Sequence, residues 1–135
     1  MLGIDPAPGA VAEANRRGAP VLRRSVFDPL PGERRWSTVL LLDGNIGIGG
    51  DPLALLRRVA QLLGRGGHAV VEVEPPGRGD EDLTVRVEVD DVVGPWFPWA
   101  RVGADGWGAL AAAAGLVPLE FQVGDDRWFA RAERP

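Results

Sequence analysis

Met1-Leu2-Gly3-Ile4-Asp5-Pro6-Ala7-Pro8-Gly9 opens the chain. The first five residues read as the end of a β-strand that stops in an acid. The two prolines and Gly9 form a turn after it. A short helix over 10–17 follows, with Gly18 as its C-cap. Val21 and Leu22 begin a second strand that runs to about Phe27. Asp28-Pro29-Leu30-Pro31-Gly32 is a loop by composition. A helix between two strands demands a parallel crossover, so this stretch predicts a β-α-β unit and an α/β fold.

The remainder repeats the pattern. Thr38-Val39-Leu40-Leu41-Leu42-Asp43 is an apolar run ending in an acid, as expected of a strand buried on both faces of a parallel sheet. A glycine-rich loop follows, Gly44-Asn45-Ile46-Gly47-Ile48-Gly49-Gly50. Asp51 is a natural N-cap, with Pro52 at the first helical position. The helix predicted over 53–63 has an apolar face of Leu53, Leu56, Val59, Ala60 and Leu63. Gly64-Arg65-Gly66-Gly67 ends it. Residues 69–74 form the next buried strand, stopped by Pro75-Pro76-Gly77.

Residues 83–89 alternate like a half-buried strand. Pro95-Trp96-Phe97-Pro98-Trp99 is an aromatic segment stiffened by proline. A helix over 104–114 ends at Gly115. Strands over 116–123 and 127–131 flank Gly124-Asp125-Asp126, the strongest hairpin signal in the chain. The expected architecture is α/β and Rossmann-like: a mostly parallel sheet, helices on both faces, and a C-terminal antiparallel β-hairpin. All of it is expected in a single domain over 1–135.

Composition narrows the function. The 135 residues are 45% hydrophobic and 25% charged, ordinary values for a globular domain. The net charge of −4 gives no electrostatic case for nucleic acid or an anionic membrane. There is no Cys, which removes thiolate chemistry and disulfides, and a single His, His68, cannot build a multi-histidine metal site. The first residues do not form a signal peptide, because Asp5 and two prolines interrupt the apolar run. No apolar run approaches the ~20 residues that span a bilayer. These features predict a soluble cytoplasmic domain.

Open α/β sheets bind ligands outside the carboxyl ends of their strands. Asp5 and Asp43 stand at such ends. One reading takes 38–74 as a dinucleotide-binding unit, with Glu72 or Glu74 about twenty residues beyond the loop. The loop departs from that pattern. Gly47 and Gly49 supply two glycines, but the third position is Pro52. Asp51 also puts a negative side chain where a pyrophosphate needs open N–H donors. This reading predicts an oxidoreductase module.

A second reading uses the whole chain. Gly3-Ile4-Asp5-Pro6, Ser25-Val26-Phe27, Val39-Leu40-Leu41-Leu42-Asp43 with Gly44-Asn45, and Leu62-Leu63-Gly64-Arg65-Gly66-Gly67-His68 occur in that order. Together they resemble the class I S-adenosylmethionine-dependent methyltransferases. The last motif looks like the family's Leu-x-Pro-Gly-Gly turn before its fifth strand. The resemblance implies that Asp5 accepts hydrogen bonds from both ribose hydroxyls of S-adenosylmethionine, and that Pro6 lies beside the adenine. Ser25 stands where the family usually has an Asp for the adenine amino group, and the Val26 N–H would reach a ring nitrogen. Asp43 and Asn45 would lie under the methyl donor or face the acceptor.

Trp96, Trp99 and Arg101 follow the fifth strand. They would wall a pocket for a small-molecule acceptor, with Arg101 on an acidic group. Methyl transfer by direct displacement depends on positioning, so no catalytic residue is singled out. The family's first strand, glycine-rich loop and following helix precede the acidic strand, and this chain has no counterpart. It therefore reads as N-terminally truncated relative to the family. A displaced start, a partner chain that supplies the missing segment, and a non-catalytic fragment all remain open. The displaced start is favoured.

Overall fold

A computed structural model describes residues 1–135. The chain divides into two compact units, Met1–Gly32 and Glu33–Pro135.

In the first unit, strand β1 (Gly3–Asp5) lies parallel to strand β2 (Val21–Arg23), with Ile4 opposite Leu22. Helix α1 (Pro8–Arg16) makes the crossover. Pro8 suits its first turn, where an amide hydrogen has no partner within the helix. Glu13 pairs with Arg16 and Arg17 one turn on. The helix ends in a Schellman motif. Gly18, at φ +84°, donates its N–H to Asn15 C=O at 3.0 Å, and Ala19 donates to Ala14 C=O at 3.0 Å. The Asn15 side chain then latches both backbone groups of Val21, at 3.0 and 3.2 Å.

Strand β2 is shorter than the sequence predicts. It stops at Arg23, and 25–28 is a turn. The Asp28 carboxylate accepts the Ser25 N–H at 2.8 Å, and Ser25 Oγ accepts the Phe27 N–H at 3.2 Å. These local bonds replace the ladder that a longer strand would need.

In the second unit, strand β3 (Trp36–Leu41), helix α2 (Pro52–Leu62) and strand β4 (Leu63–Val73) form a parallel β-α-β unit, with Val39 opposite Ala69 and Leu41 opposite Val71. Strands β5 (Glu81–Val85) and β8 (Phe97–Arg101) form an antiparallel ribbon, and β6 (Glu88–Val89) and β7 (Val92–Val93) form its tip. Helix α3 (Trp107–Ala113) follows a 3-10 turn over Ala104–Gly106, so the predicted helix over 104–114 is shorter and irregular at its start. Strands β9 (Val117–Pro118), β10 (Gln122–Gly124) and β11 (Arg127–Glu133) complete the main sheet, whose order is β10-β11-β4-β3. The predicted hairpin closes through Asp125 and Asp126, both at positive φ, with Gly124 opposite Arg127. A two-residue loop with positive φ at both positions matches the twist of its strands. The α/β, Rossmann-like class and the C-terminal hairpin read from the sequence both stand.

Strand alternation sends Ala69, Val71 and Val73 of β4, and Ala130 and Ala132 of β11, into one buried layer. Leu55, Leu56, Val59 and Leu62 of α2 and Trp107 and Ala111 of α3 are the buried residues of the helices. Trp107 Nε1 donates to Arg131 C=O at 3.1 Å, which satisfies its one polar atom. The helix face therefore departs from the expected one. Leu55 and Leu62 take the places read for Leu53 and Ala60, and Leu63 is the first residue of β4. Gly64–Gly67 do not simply end the helix. They belong to β4, with Gly66 at φ +75° and its N–H on Arg134 C=O at 2.8 Å.

Strand β3 is not buried on both faces. Leu41 is buried, but Leu40 is 51% exposed. β3 is the edge of its sheet, and an apolar run alone does not distinguish an edge strand from a central one.

Candidate functional site

The carboxyl ends of β3 and β4 meet the tip of the β10–β11 hairpin, and the three enclose a cavity of about 340 Å³. β3 ends at Leu41, and the chain turns sharply through Asp43 at φ +53° and Gly44 at φ +78°. Asp tolerates this left-handed backbone better than most residues. The turn leaves the Asp43 carboxylate 85% exposed beside the cavity.

One arginine organises this end of the sheet. Arg127, the first residue of β11, donates from Nε to Glu72 Oε1 at 2.9 Å and from Nη2 to Glu72 Oε2 at 2.7 Å. Nη2 also reaches Asp43 Oδ1 at 3.1 Å. Glu72 in turn accepts the backbone N–H of Asp43 at 2.8 Å. The bidentate Arg127 contact, and then the Asp43 N–H, hold the Glu72 carboxyl below its ordinary value. Glu72 in turn raises the Arg127 guanidinium. From the sequence alone, Glu72 is a candidate only as the acid of the dinucleotide-binding unit, and Arg127 has no role.

The glycine loop has a different use from cradling phosphate. It is a kinked 3-10 turn over Asn45–Gly50, with Ile46 and Gly47 buried. A Cβ on Gly47 would lie 2.3 Å from Ala100 O and 2.4 Å from Trp99 Nε1, and one on Gly50 would lie 2.7 Å from Pro98 Cβ. These two glycines are required because β8 packs directly on the loop. Asp51 caps the following helix by accepting the Ala54 N–H at 3.0 Å. A carboxylate therefore already holds the place that a pyrophosphate would take.

The predicted residues fall in three places. Asp43 and Arg101 line the cavity. Arg101 is brought there because the Glu74 N–H donates to Val102 C=O at 2.8 Å, which sets the end of β8 beside the end of β4. Arg101 also pairs with Glu81 at 3.3 Å. Asn45 begins the loop and donates its N–H to Leu42 C=O at 3.0 Å. Trp96 and Trp99 do not line this cavity. Trp99 lies against Gly47 and edge-on to Phe97, and Trp96 carries the Arg86 guanidinium over its ring at 4.7 Å. In the first unit, Asp5 ends β1 and its Oδ1 accepts the Ala7 N–H at 2.8 Å, across Pro6. Ser25 and Val26 lie in the turn after β2.

The sequence matches no protein-family model and no curated protein. Solved structures match along nearly its whole length. The S-adenosylmethionine-dependent methyltransferase of Bacteroides fragilis, in complex with S-adenosylhomocysteine, aligns over 97% of this chain and 61% of its own, at 23% identity and a TM-score of 0.76. The 1,6-didemethyltoxoflavin-N1-methyltransferase of Burkholderia thailandensis aligns over 98% of this chain and 60% of its own, at 16% identity and a TM-score of 0.68. CalS10 of Micromonospora echinaspora, an amino pentose methyltransferase, aligns over 99% of this chain and 73% of its own, at 18% identity and a TM-score of 0.70. The chain thus spans about three-fifths of the length of the first two. It has the fold of the class I S-adenosylmethionine-dependent methyltransferases.

Proposed function

We propose that the chain forms part of an S-adenosylmethionine-dependent methyltransferase acting on a small-molecule acceptor, with residues 1–135 working as one methyltransferase-like domain. The observation that carries the reading is the fold match along 97% of the chain at a TM-score of 0.76. The residues present fit the cofactor's polar groups. Asp5 is half-buried, and with only the Ala7 N–H on Oδ1 its carboxylate keeps lone pairs for two hydroxyl donors. Bound S-adenosylmethionine would supply a methyl group on a sulfonium centre, open to direct displacement.

The chain's own residues bind and orient. Asp5 takes the ribose hydroxyls, and Pro6 lies beside the adenine. Ser25 accepts from the adenine amino group more weakly than a carboxylate would, and the Val26 N–H serves a ring nitrogen. Asp43 and Asn45 position the donor or the acceptor. Arg101 binds an acidic group of the acceptor. Trp99 supports the loop from beneath through Gly47, while Trp96 remains a candidate wall for the acceptor. A cytoplasmic location belongs to this reading; no helix is long and apolar enough to cross a membrane.

A second reading, in which the same fold needs a partner chain to bind cofactor, is favoured by the open edge of β3 with Leu40 exposed on it. Calorimetric titration tests both. S-adenosylhomocysteine is expected to bind in the micromolar range and NAD not to bind, with affinity lost in Asp5→Ala. A folded chain that takes up neither ligand alone would contradict the first reading and leave the second.

A further inference from the structure

Asp43 is held at two points, although its carboxylate is exposed. It lies at φ +53° in the turn closed by the Asn45 N–H on Leu42 C=O. Its backbone N–H donates to Glu72 Oε2 at 2.8 Å, and its Oδ1 accepts from Arg127 Nη2 at 3.1 Å. Glu72 and Arg127 are themselves joined by two hydrogen bonds. The Arg127 guanidinium also lies over the Phe129 ring, 5.2 Å from its centre. Asp43 Oδ2 makes no bond within the chain. Ion pairs of an arginine that is 46% exposed add only modestly to stability. What this network does fix is the place of one free carboxylate oxygen, at the end of the sheet where open α/β folds bind ligands. A left-handed residue other than glycine persists where its surroundings over-determine it, and such residues cluster at ligand clamps.

Charge decides what that oxygen attracts. Asp43, Glu72, Glu74 and Asp126 line the cavity, with only Arg101 and Arg127 against them. Both arginines are already in ion pairs, Arg127 with Glu72 and Asp43, and Arg101 with Glu81. The cavity therefore favours a positive group on a ligand. S-adenosylmethionine carries one at its sulfur. When the methyl group leaves, the electron pair of the broken S–C bond stays on sulfur, and the product thioether is neutral there. The amino and carboxyl groups are the same in both molecules, so only the sulfur distinguishes them. The attraction acts on the donor and not on the spent product.

We infer that Asp43 is the residue that tells S-adenosylmethionine from S-adenosylhomocysteine, and that Arg127 is the positioning residue for its carboxylate. The inference rests on the methyltransferase reading and deepens it. Calorimetric titration of the chain with both ligands is the test, read as the ratio of their affinities. S-adenosylmethionine is expected to bind tighter by about fivefold, the attraction of a unit charge for an exposed carboxylate in contact with it. The preference should vanish in Asp43→Asn, which keeps the shape and removes the charge. It should shrink in Arg127→Lys, which keeps the charge but cannot grip both carboxylates with a planar fork. Asp5→Ala should weaken both ligands by the same factor, as a loosened fold would, and so leave the ratio unchanged. Equal affinities in the parent chain, or a preference that survives Asp43→Asn, would overturn the inference and leave the methyltransferase reading standing. A preference untouched by Arg127→Lys would overturn the positioning role. Uptake of neither ligand would contradict the reading itself and take the inference with it.

Discussion

Arg127 joins pieces of backbone that lie 55 and 84 positions away along the chain, at Glu72 and Asp43. The Glu72 carboxyl is lowered first by that arginine and then by the Asp43 N–H. The sign of the consequence follows from linkage. A carboxyl with a lowered folded value adds stability that is complete above its unfolded value of about 4.3 and is lost as pH falls through the lowered one. Glu72→Gln should therefore flatten the acid limb of thermal stability below that pH. Melting temperatures of both forms between neutral and acid pH check this. An unchanged acid limb would mean that Glu72 is not the group held.

At this scale the local signals were legible and the long-range ones were not. The Asp51 cap and the Gly18 helix end depend on residues within a few positions, and both are found. The contact of Arg127 with Glu72 depends on the antiparallel register that sets Phe129 opposite Glu72. No spacing in the sequence encodes that register.

Among the elements, α2 shows why periodicity fixes the existence of a helix more firmly than its phase. The run Leu53-Ala54-Leu55-Leu56 and Val59-Ala60-Gln61-Leu62-Leu63 carries enough leucines for two adjacent faces, and both include Leu56 and Val59. Packing against the sheet selects the one with Leu55 and Leu62. Leu56→Ala should cost about 2–5 kcal/mol, as a fully buried leucine does, and Leu53→Ala clearly less. Urea unfolding midpoints compare the two. Equal losses would contradict the observed phase. The ribbon was half legible for a related reason. Alternation over 83–89 marked the first strand. The two prolines around Trp96 hid the second, although proline is tolerated on an exposed strand edge.

At the scale of the whole molecule, the order of strands and helices was enough to give the α/β class and a likeness to one fold family, because helices between parallel strands leave few arrangements. Burial was not legible. Residues 1–32 include no buried side chain, whereas the second unit buries Trp107, Leu55, Leu56 and Val59 almost completely. The apolar run of β3, taken by itself, reads as buried on both faces, and its strand is an edge. The cofactor reading therefore rests on the fold and on particular side chains, Asp5 above all. Its most direct test is a crystal structure of the chain grown with saturating S-adenosylhomocysteine. The account predicts both ribose hydroxyls within hydrogen-bond distance of the Asp5 carboxylate. Ligand bound elsewhere, with Asp5 facing solvent, would contradict it.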